Sequence, residues 1–148
     1  MVRACNRAAG CAQNHQAKNS GPMMDRFDLA NELPEISISI LLKDAGGESN
    51  QIVAAFVAAA SQFGAFRNQG VMRANARIGI DQLDQQIMMG DAAQDLLRKS
   101  MDQDNLSARA YHKIIWVLRT IADLAVGERV GRAALAEALA HRAMPLLL

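Results

Sequence analysis

The segment that most constrains the fold is residues 106–124, LSARAYHKIIWVLRTIADL. When its residues are placed about 100° apart, as in an α-helix, apolar and polar side chains separate onto opposite faces. The apolar face consists of Tyr111, Ile114, Ile115, Leu118, Ile121, Ala122 and Ala125, and the polar face of Arg109, His112, Trp116, Arg119, Thr120 and Asp123. The segment therefore predicts an amphipathic helix whose apolar face packs against other parts of a folded domain.

Three further segments also predict helices. Ser49 can cap a helix of about residues 50–69, whose middle, IVAAFVAAA, is apolar on all sides. Such a helix is either deeply buried or lies against a partner outside this chain. A weaker period over residues 79–105 predicts two helices joined at residues 89 and 90, and a last helix is predicted over about residues 131–143.

The beginning of the chain predicts a small β element. Residues 1–21 have no hydrophobic period, which indicates a loop or a frayed helical segment. Residues 22–42 alternate apolar and polar side chains in places, as short strands require. The alternating residues are Phe27, Leu29, Ile36, Ile38 and Ile40.

The composition favours one folded domain, or a piece of one, over a disordered chain. Hydrophobic residues make up 51% of the 148 residues, and there are only three prolines. The formal charge is only +1, so no general electrostatic attraction to nucleic acid or to an anionic membrane is expected. The longest apolar run, residues 52–60, is far shorter than the ~20 residues of a membrane-spanning helix. With two cysteines and no signal-peptide pattern, the sequence predicts a soluble protein of the reducing cytoplasm.

Arg109 stands in the first turn of the predicted 106–124 helix, where a cation is unfavourable. A helix N-terminus carries about +0.5 of an elementary charge, which disfavours a nearby cation by about 0.3–1 kcal/mol unless an anion is present. Ser107 is a suitable N-cap, and free backbone N–H groups of residues 107–110 together with the guanidinium suit a phosphate. Pattern alone leaves two interpretations open: a phosphate site, or an ordinary surface helix whose cations are solvated.

Four segments, in order, carry a resemblance: SGPMMDRFDL, GGES, RANA, and LSARAYHKIIWVLRTIADL followed by LAEALAHRA. They resemble the C-terminal part of the magnesium-chelatase-like AAA+ ATPases, including the competence-associated helicase branch. In that family a Ser-Gly-Pro-Leu-Leu-Asp-Arg segment, Gly-Glu-Ser and Asn-Ala landmarks, and a helix from Leu-Ser-x-Arg-x-Tyr to Arg-Thr-Ile-Ala-Asp-Leu recur. The resemblance implies a mainly α fold: a helical AAA+ lid bundle preceded by a short β element from the end of the nucleotide-binding core.

The resemblance also implies roles for three residues. Arg109 matches the sensor-2 arginine, which in this family reaches from the lid to the phosphates of the nucleotide in its own subunit. Ser107, the N-cap of the same helix, is then expected at that phosphate. Arg26 matches the arginine finger, which touches the γ-phosphate held by the neighbouring subunit of a ring. Without the resemblance, the favoured interpretation of Arg26 is an ion pair with Asp25 or Asp28 on a strand.

By the same resemblance, residues 1–42 are a remnant of the nucleotide-binding core and residues 43–148 are the helical lid. The sequence contains no G-x-x-x-x-G-K-[ST] loop and no apolar strand ending in a metal-binding acidic pair. The family hydrolyses ATP with Mg²⁺, but this chain is expected to bind neither alone. Whether it is an enzyme is left open. It is expected to work with a separate nucleotide-binding core or with neighbouring subunits of a ring, with DNA as a further partner and no membrane.

The cysteines predict no metal site. Cys5 and Cys11 with His15 could begin a zinc site, since thiolates and imidazole are natural ligands, but a fourth partner is lacking and the spacing fits no standard finger. Two unlinked thiols in a loop are the favoured interpretation.

Two other interpretations of the whole chain stay open. The first is a stand-alone helical interaction or nucleic-acid-binding module that uses Arg109, Lys113 and Arg119, although a chain of charge +1 lacks the usual basic surface. The second is a degenerate product without activity. The missing motifs leave this open, as does the uncharged stretch IVAAFVAAASQF, where the family usually has Arg and Glu.

Overall fold

A computed structural model of the chain describes residues 14, 18, 23, 26–31, 33, 36, 38, 47–103 and 106–142. The chain divides into two compact units. Residues 47–140 form one, called the helical unit below, and residues 1–46 with 141–148 form the other, called the terminal unit. The boundary predicted after residue 42 lies outside the described residues, as do Cys5, Cys11 and His15.

The helical unit consists of helices joined by short connections, and the predicted mainly α fold is confirmed. Its helices are α1 (Asn50–Arg67), α2 (Ile80–Gln86), α3 (Asp91–Gln103), α4 (Ala108–Leu124) and α5 (Arg132–Ala140), with a 3₁₀ turn at Asn75–Arg77. The predicted N-cap of α1 is confirmed, because the Ser49 hydroxyl accepts a hydrogen bond from the backbone N–H of Ile52 at 3.4 Å. Every predicted helix of this unit is found, with its ends shifted by a few residues at most.

Two short strands lie between these helices. They are β1 (Met88–Met89) and β2 (Arg129–Val130), and they pair in parallel. Val130 is 1% exposed, so this small ladder fixes the chain entering α5 to the hydrophobic core.

The strands predicted near the beginning of the chain are not found at the described residues. Phe27, Leu29 and Ile36 lie outside any strand, and Ile38 is helical; Ile40 is not among the residues described. All four described side chains are more than half exposed. A strand prediction from alternation assumes one covered face, and here the alternating apolar residues do not have one.

α4 is the central helix of the helical unit. It packs against α1, α2, α5 and the 3₁₀ turn. The middle of its apolar face is buried as predicted, since Ile114, Ile115 and Leu118 are at most 1% exposed, whereas Ala125 at its end is exposed. Because burial of one such side chain stabilises a fold by about 1.5–3 kcal/mol, this face anchors the unit. The other buried core residues are Ile78, Leu83, Ala93, Leu97, Ala122, Val130, Leu135 and Ala138.

α1 is less covered than its sequence suggests. Ile52, Val53, Phe56 and Val57 are between 45% and 56% exposed, and the buried residue of α1 is Gly64, near its other end. Deep burial, one of the two alternatives for this apolar helix, is therefore not what the structure has. No helix within the described ranges is long and apolar enough to cross a membrane.

The polar face of α4 is also buried in its second half. Arg119 is 0% exposed and Asp123 is 4% exposed, so the interpretation of this face as one with solvated cations does not hold for Arg119. Asp123 Oδ1 accepts a hydrogen bond from Arg119 Nε at 3.0 Å. Asp123 Oδ2 accepts from Arg67 Nη2 and from Asn75 Nδ2, each at 2.8 Å. These four residues, called the Asp123 cluster below, join the end of α1, the 3₁₀ turn and α4.

The Asp123 cluster carries two guanidinium groups and one carboxylate. Burial lowers the pKa of Arg119 and the nearby charge of Arg67 lowers it further, whereas the Asp123 carboxylate opposes this shift. Arg119 is held by more than the carboxylate, because its Nη1 donates to the carbonyl of Glu128 at 3.2 Å and its Nη2 donates to the carbonyl of Gly127. Arg119 therefore also stabilises the turn that leads from α4 to β2.

This turn forces a branched side chain into a left-handed conformation. The N–H of Gly127 donates to the carbonyl of Ala122 at 2.8 Å. The N–H of Val126 donates to the carbonyl of Asp123 at 3.0 Å. These are the two bonds of a Schellman motif, whose left-handed position is usually occupied by glycine. Here Val126 occupies it with φ of +52°. A β-branched residue is strained in this region.

We expect Arg119→Met to lower the free energy of unfolding by about 3–5 kcal/mol, because it removes one partner of a buried ion pair and leaves two turn carbonyls without a donor. Urea unfolding followed by circular dichroism measures this difference. The matched control is Arg109→Met on the same helix, which replaces an exposed arginine and should change stability by less than about 0.5 kcal/mol. Equal effects of the two substitutions would contradict the structural role given to Arg119.

We expect Val126→Gly to raise the free energy of unfolding by about 1 kcal/mol, since relief of the left-handed strain exceeds the added backbone entropy of glycine. The neighbouring Ala125, with φ of −81°, provides the control. Ala125→Gly should lower stability by about 0.5–1 kcal/mol, because no strain is relieved there. If both glycine variants lose stability in the same unfolding measurement, the strain assigned to Val126 is absent.

Candidate functional site

The N-terminus of α4 has the predicted cap. The hydroxyl of Ser107 accepts a hydrogen bond from the backbone N–H of Ala110 at 3.2 Å, which confirms Ser107 as the N-cap. This bond also corrects the expected set of free donors, because the N–H of Ala110 is occupied by the cap. The N–H groups of Ala108 and Arg109 have no acceptor within the described part of the chain. Two backbone donors are thus directed out of the helix end.

Arg109 is exposed beside these donors. Across the described residues, its guanidinium has no hydrogen bond and no ion pair, and it does not line any of three cavities of the helical unit. A cation in the first turn is opposed by the helix dipole, and nothing described in the chain balances it. The arrangement supplies a positive edge with five guanidinium N–H donors and two backbone donors, which matches the acceptors of a phosphate group.

Neighbouring contacts hold this end of α4 in place. The Tyr111 hydroxyl donates to the Asp84 carboxylate of α2 at 3.2 Å. Burial raises the pKa of Tyr111, and the charge of Asp84 and this hydrogen bond raise it further, so the phenol stays protonated. Trp116 Nε1 donates to the carbonyl of Ile78 at 3.3 Å. The position of Arg109 is therefore set by a helix that is fixed on two sides.

Arg26 lies in the terminal unit, in a turn rather than a strand. Its backbone N–H donates to the carbonyl of Met23 at 3.0 Å, and the residue is exposed. Within the described residues its side chain has no ion pair with Asp28, whereas Asp25 is outside them. Arg26 and Arg109 belong to different units. The terminal unit also joins Ala30 to His141, whose carbonyl accepts from the Ala30 N–H at 2.6 Å.

The Asp123 cluster was missed by the sequence analysis. Arg119 and Asp123 are four residues apart, the spacing of a helical ion pair, and this signal was available on the polar face of α4. Asn75 belongs to the RANA segment, which was used only as a landmark. No local pattern indicates that Arg67, 56 residues from Asp123, completes the cluster.

The described cations argue against a nucleic-acid-binding face on α4. Of the three residues proposed for it, Lys113 is 8% exposed and Arg119 is 0% exposed. Phosphate contacts need accessible cations, so Arg109 alone of the three is available on the surface. No group of three or more His, Cys, Asp or Glu side chains that could hold a metal occurs in the described residues.

Residues 47–142 match the sequence profile of the family described as magnesium chelatase, subunit ChlI C-terminal. The matched range begins at the first residue of the helical unit and ends two residues after its last. It therefore contains α1 to α5, the Asp123 cluster and Arg109.

Curated proteins with similar sequences agree with this match. The chain is 34% identical over 130 residues to the competence protein ComM of Haemophilus influenzae, and 34% identical over 130 residues to the uncharacterised protein YifB of Salmonella typhimurium. Each alignment covers 87% of this chain and 25% of the relative. An uncharacterised protein of Mycobacterium bovis is 31% identical over 140 residues, which are 93% of this chain and 27% of that protein.

The chain thus spans about a quarter of the length of these relatives. The family match covers the helical unit, and the similarity to a competence protein confirms the resemblance to the competence-associated branch. The chain belongs to the magnesium-chelatase-like family, and its helical unit is the C-terminal domain of that family.

Proposed function

We propose that the chain supplies the helical lid of a magnesium-chelatase-like AAA+ ATPase, with Arg109 as the sensor-2 arginine that contacts the phosphates of ATP. The observation that supports this most is the exposed, unbalanced guanidinium of Arg109 beside two free backbone donors at the capped end of α4. The family match supplies the context, since it covers this helix and the elements that hold it.

The described residues fit one edge of a nucleotide site and not the whole of it. Arg109, with the N–H groups of Ala108 and Arg109, offers donors for phosphate oxygens, while the sequence contains no phosphate-binding loop. The sequence also contains no apolar strand ending in the acidic pair that would hold Mg²⁺. A nucleotide-binding core supplied by another segment or subunit completes the site in this proposal, and the chain alone does not hydrolyse ATP.

Arg26 is proposed as the finger that acts on the nucleotide of a neighbouring subunit in a ring. Arg26 is exposed and, within the described part of the chain, forms no ion pair with Asp28, which supports this role. A positive group at the γ-phosphate stabilises the charge that develops during phosphoryl transfer. The likeness to a protein named for competence supports a DNA-processing role for the assembled ATPase.

The first test is a chimera in which this chain replaces the matching segment of the Haemophilus influenzae relative. We expect the purified chimera to hydrolyse ATP, and Arg109→Ala to lower the rate about 10²-fold or more, as loss of a charged donor to a reacting phosphate does. The matched control is Arg132→Ala, which removes another exposed arginine at the start of a helix. It should leave the rate within about twofold of the unsubstituted chimera.

Two results of this experiment would contradict the proposal. A folded, assembled chimera without ATPase activity would show that the chain cannot complete the nucleotide site. Full activity of the Arg109→Ala chimera would remove the sensor role, whatever the rate of the Arg132→Ala control.

The second test concerns the action of Arg26 between subunits. We expect the Arg26→Ala chimera to be at least about 10³-fold slower than the unsubstituted chimera, since a finger arginine contributes roughly 10³–10⁵ in rate. Mixing it with a chimera whose phosphate-loop lysine is replaced should restore ATPase activity. In mixed rings an intact Arg26 from one subunit then meets an intact nucleotide site of the other. No recovery on mixing, with mixed rings verified by mass spectrometry, would contradict a role in trans.

A further inference from the structure

A polar cavity that Arg109 does not line lies on the helical unit. It has a volume of about 190 Å³ and lies where the end of α1 and the following loop meet α2. Six of its lining side chains carry N–H donors: Arg67, Asn68, Gln69, Arg73, Gln82 and Gln86. Its volume exceeds the roughly 30 Å³ share of one liquid water several times, so a small solvated group fits inside.

Two side chains that line this cavity each carry a buried donor with no acceptor among the described residues. They are Nε of Arg67 and Nδ2 of Asn68. Asn68 is only 9% exposed, and the Arg67 side chain is 13% exposed. Buried N–H groups are nearly always hydrogen-bonded, because an unpaired donor loses its water without gaining a protein partner. Arg67 and Asn68 are adjacent in sequence and both line the cavity, so their two unpaired donors indicate a nearby group that accepts hydrogen bonds.

The remaining polar atoms of these two residues are already used within the protein. Arg67 Nη1 donates to Gln86 Oε1, and Arg67 Nη2 donates to Asn75 and Asp123. The amide oxygen of Asn68 accepts from Gln86 Nε2 at 3.2 Å. These bonds fix the orientation of both side chains, so their free donors are preorganised rather than able to turn away.

The charges around the cavity favour an anion. Arg67 and Arg73 line it, and none of the described lining residues is acidic. Asp123, the carboxylate bound to Arg67, is shared with Arg119, so the cluster behind the cavity keeps an excess of one positive charge. Arg73 is exposed, and its side chain has no partner among the residues described.

We propose that this cavity binds a phosphate-type oxyanion, which accepts hydrogen bonds from Arg67 Nε and Asn68 Nδ2 and pairs with Arg73. A tetrahedral oxyanion has enough acceptors for both donors and for a guanidinium. Free inorganic phosphate and the phosphodiester of a nucleic-acid strand share this chemistry. The site is separate from Arg109 and does not depend on the function proposed above.

The test is an NMR titration of the ¹⁵N-labelled full chain with sodium phosphate at constant ionic strength. We expect saturable shifts of the Arg67 Nε–H and Asn68 side-chain amide signals, with an apparent Kd on the order of millimolar. Arg73→Gln should weaken phosphate binding about tenfold, because it removes a charge-assisted contact. The matched control is Arg77→Gln, another exposed arginine nearby that does not line the cavity; it should change the affinity less than about twofold.

A second arm uses a short oligothymidylate in place of phosphate. Saturable shifts of the same two signals at lower ligand concentration would assign the site to phosphodiesters; shifts with phosphate alone would assign it to the free anion. Absence of saturable shifts with both ligands would overturn the proposal and leave water as the occupant. Equal weakening by Arg73→Gln and Arg77→Gln would also overturn it. Arg109→Ala should not alter the titration, which separates this site from the proposed sensor.

Discussion

The helical unit depends on one carboxylate that two arginines share. Asp123 accepts from Arg119 through Oδ1 and from Arg67 and Asn75 through Oδ2, and all of these groups are wholly or largely buried. A buried charge of either sign is costly unless it is paired and hydrogen-bonded, so each member of the cluster depends on the others. The hydrogen bonds of this cluster join four parts of the helical unit: the end of α1, the 3₁₀ turn, α4 and the turn before β2.

The two ends of α4 therefore differ in kind. At its C-terminal end, Arg119 donates hydrogen bonds to the carbonyls of Gly127 and Glu128. These bonds stabilise the turn in which Val126 has a strained, left-handed conformation. At its N-terminal end, a Ser107 cap leaves Arg109 and two backbone donors exposed. Preorganised donors bind an anion better than mobile ones, since less entropy is lost on binding. A fixed helix with one open, positive end is the arrangement that the proposed sensor role requires.

Sequence reasoning predicted the parts of the fold that follow from local pattern. The caps of α1 and α4 could be read from Ser49 and Ser107, and the apolar face of α4 from its 3.6-residue period. The pairing of Arg67 with Asp123 could not, because it joins residues far apart in sequence. Alternation around Ile36 and Ile38 suggested a strand, yet a strand also needs a paired neighbour and a covered face, and no local pattern reveals either. For the candidate site, the position of Arg109 in the first turn of α4 followed from the sequence. The contacts that hold α4 in place, through Asp84 and Asp123, did not.

The measurement that tests this account most directly is hydrogen exchange at the arginine Nε–H groups of the full chain, followed by NMR. Exchange of a buried, bonded N–H requires opening of the structure around it, whereas an exposed N–H exchanges freely. The account predicts that the Nε–H of Arg119 exchanges at least about 10²-fold more slowly than that of Arg109 at the same pH. Equal exchange at the two groups would mean that Asp123 does not hold Arg119 in a closed cluster, and the basis for a rigid, open-ended α4 would be lost.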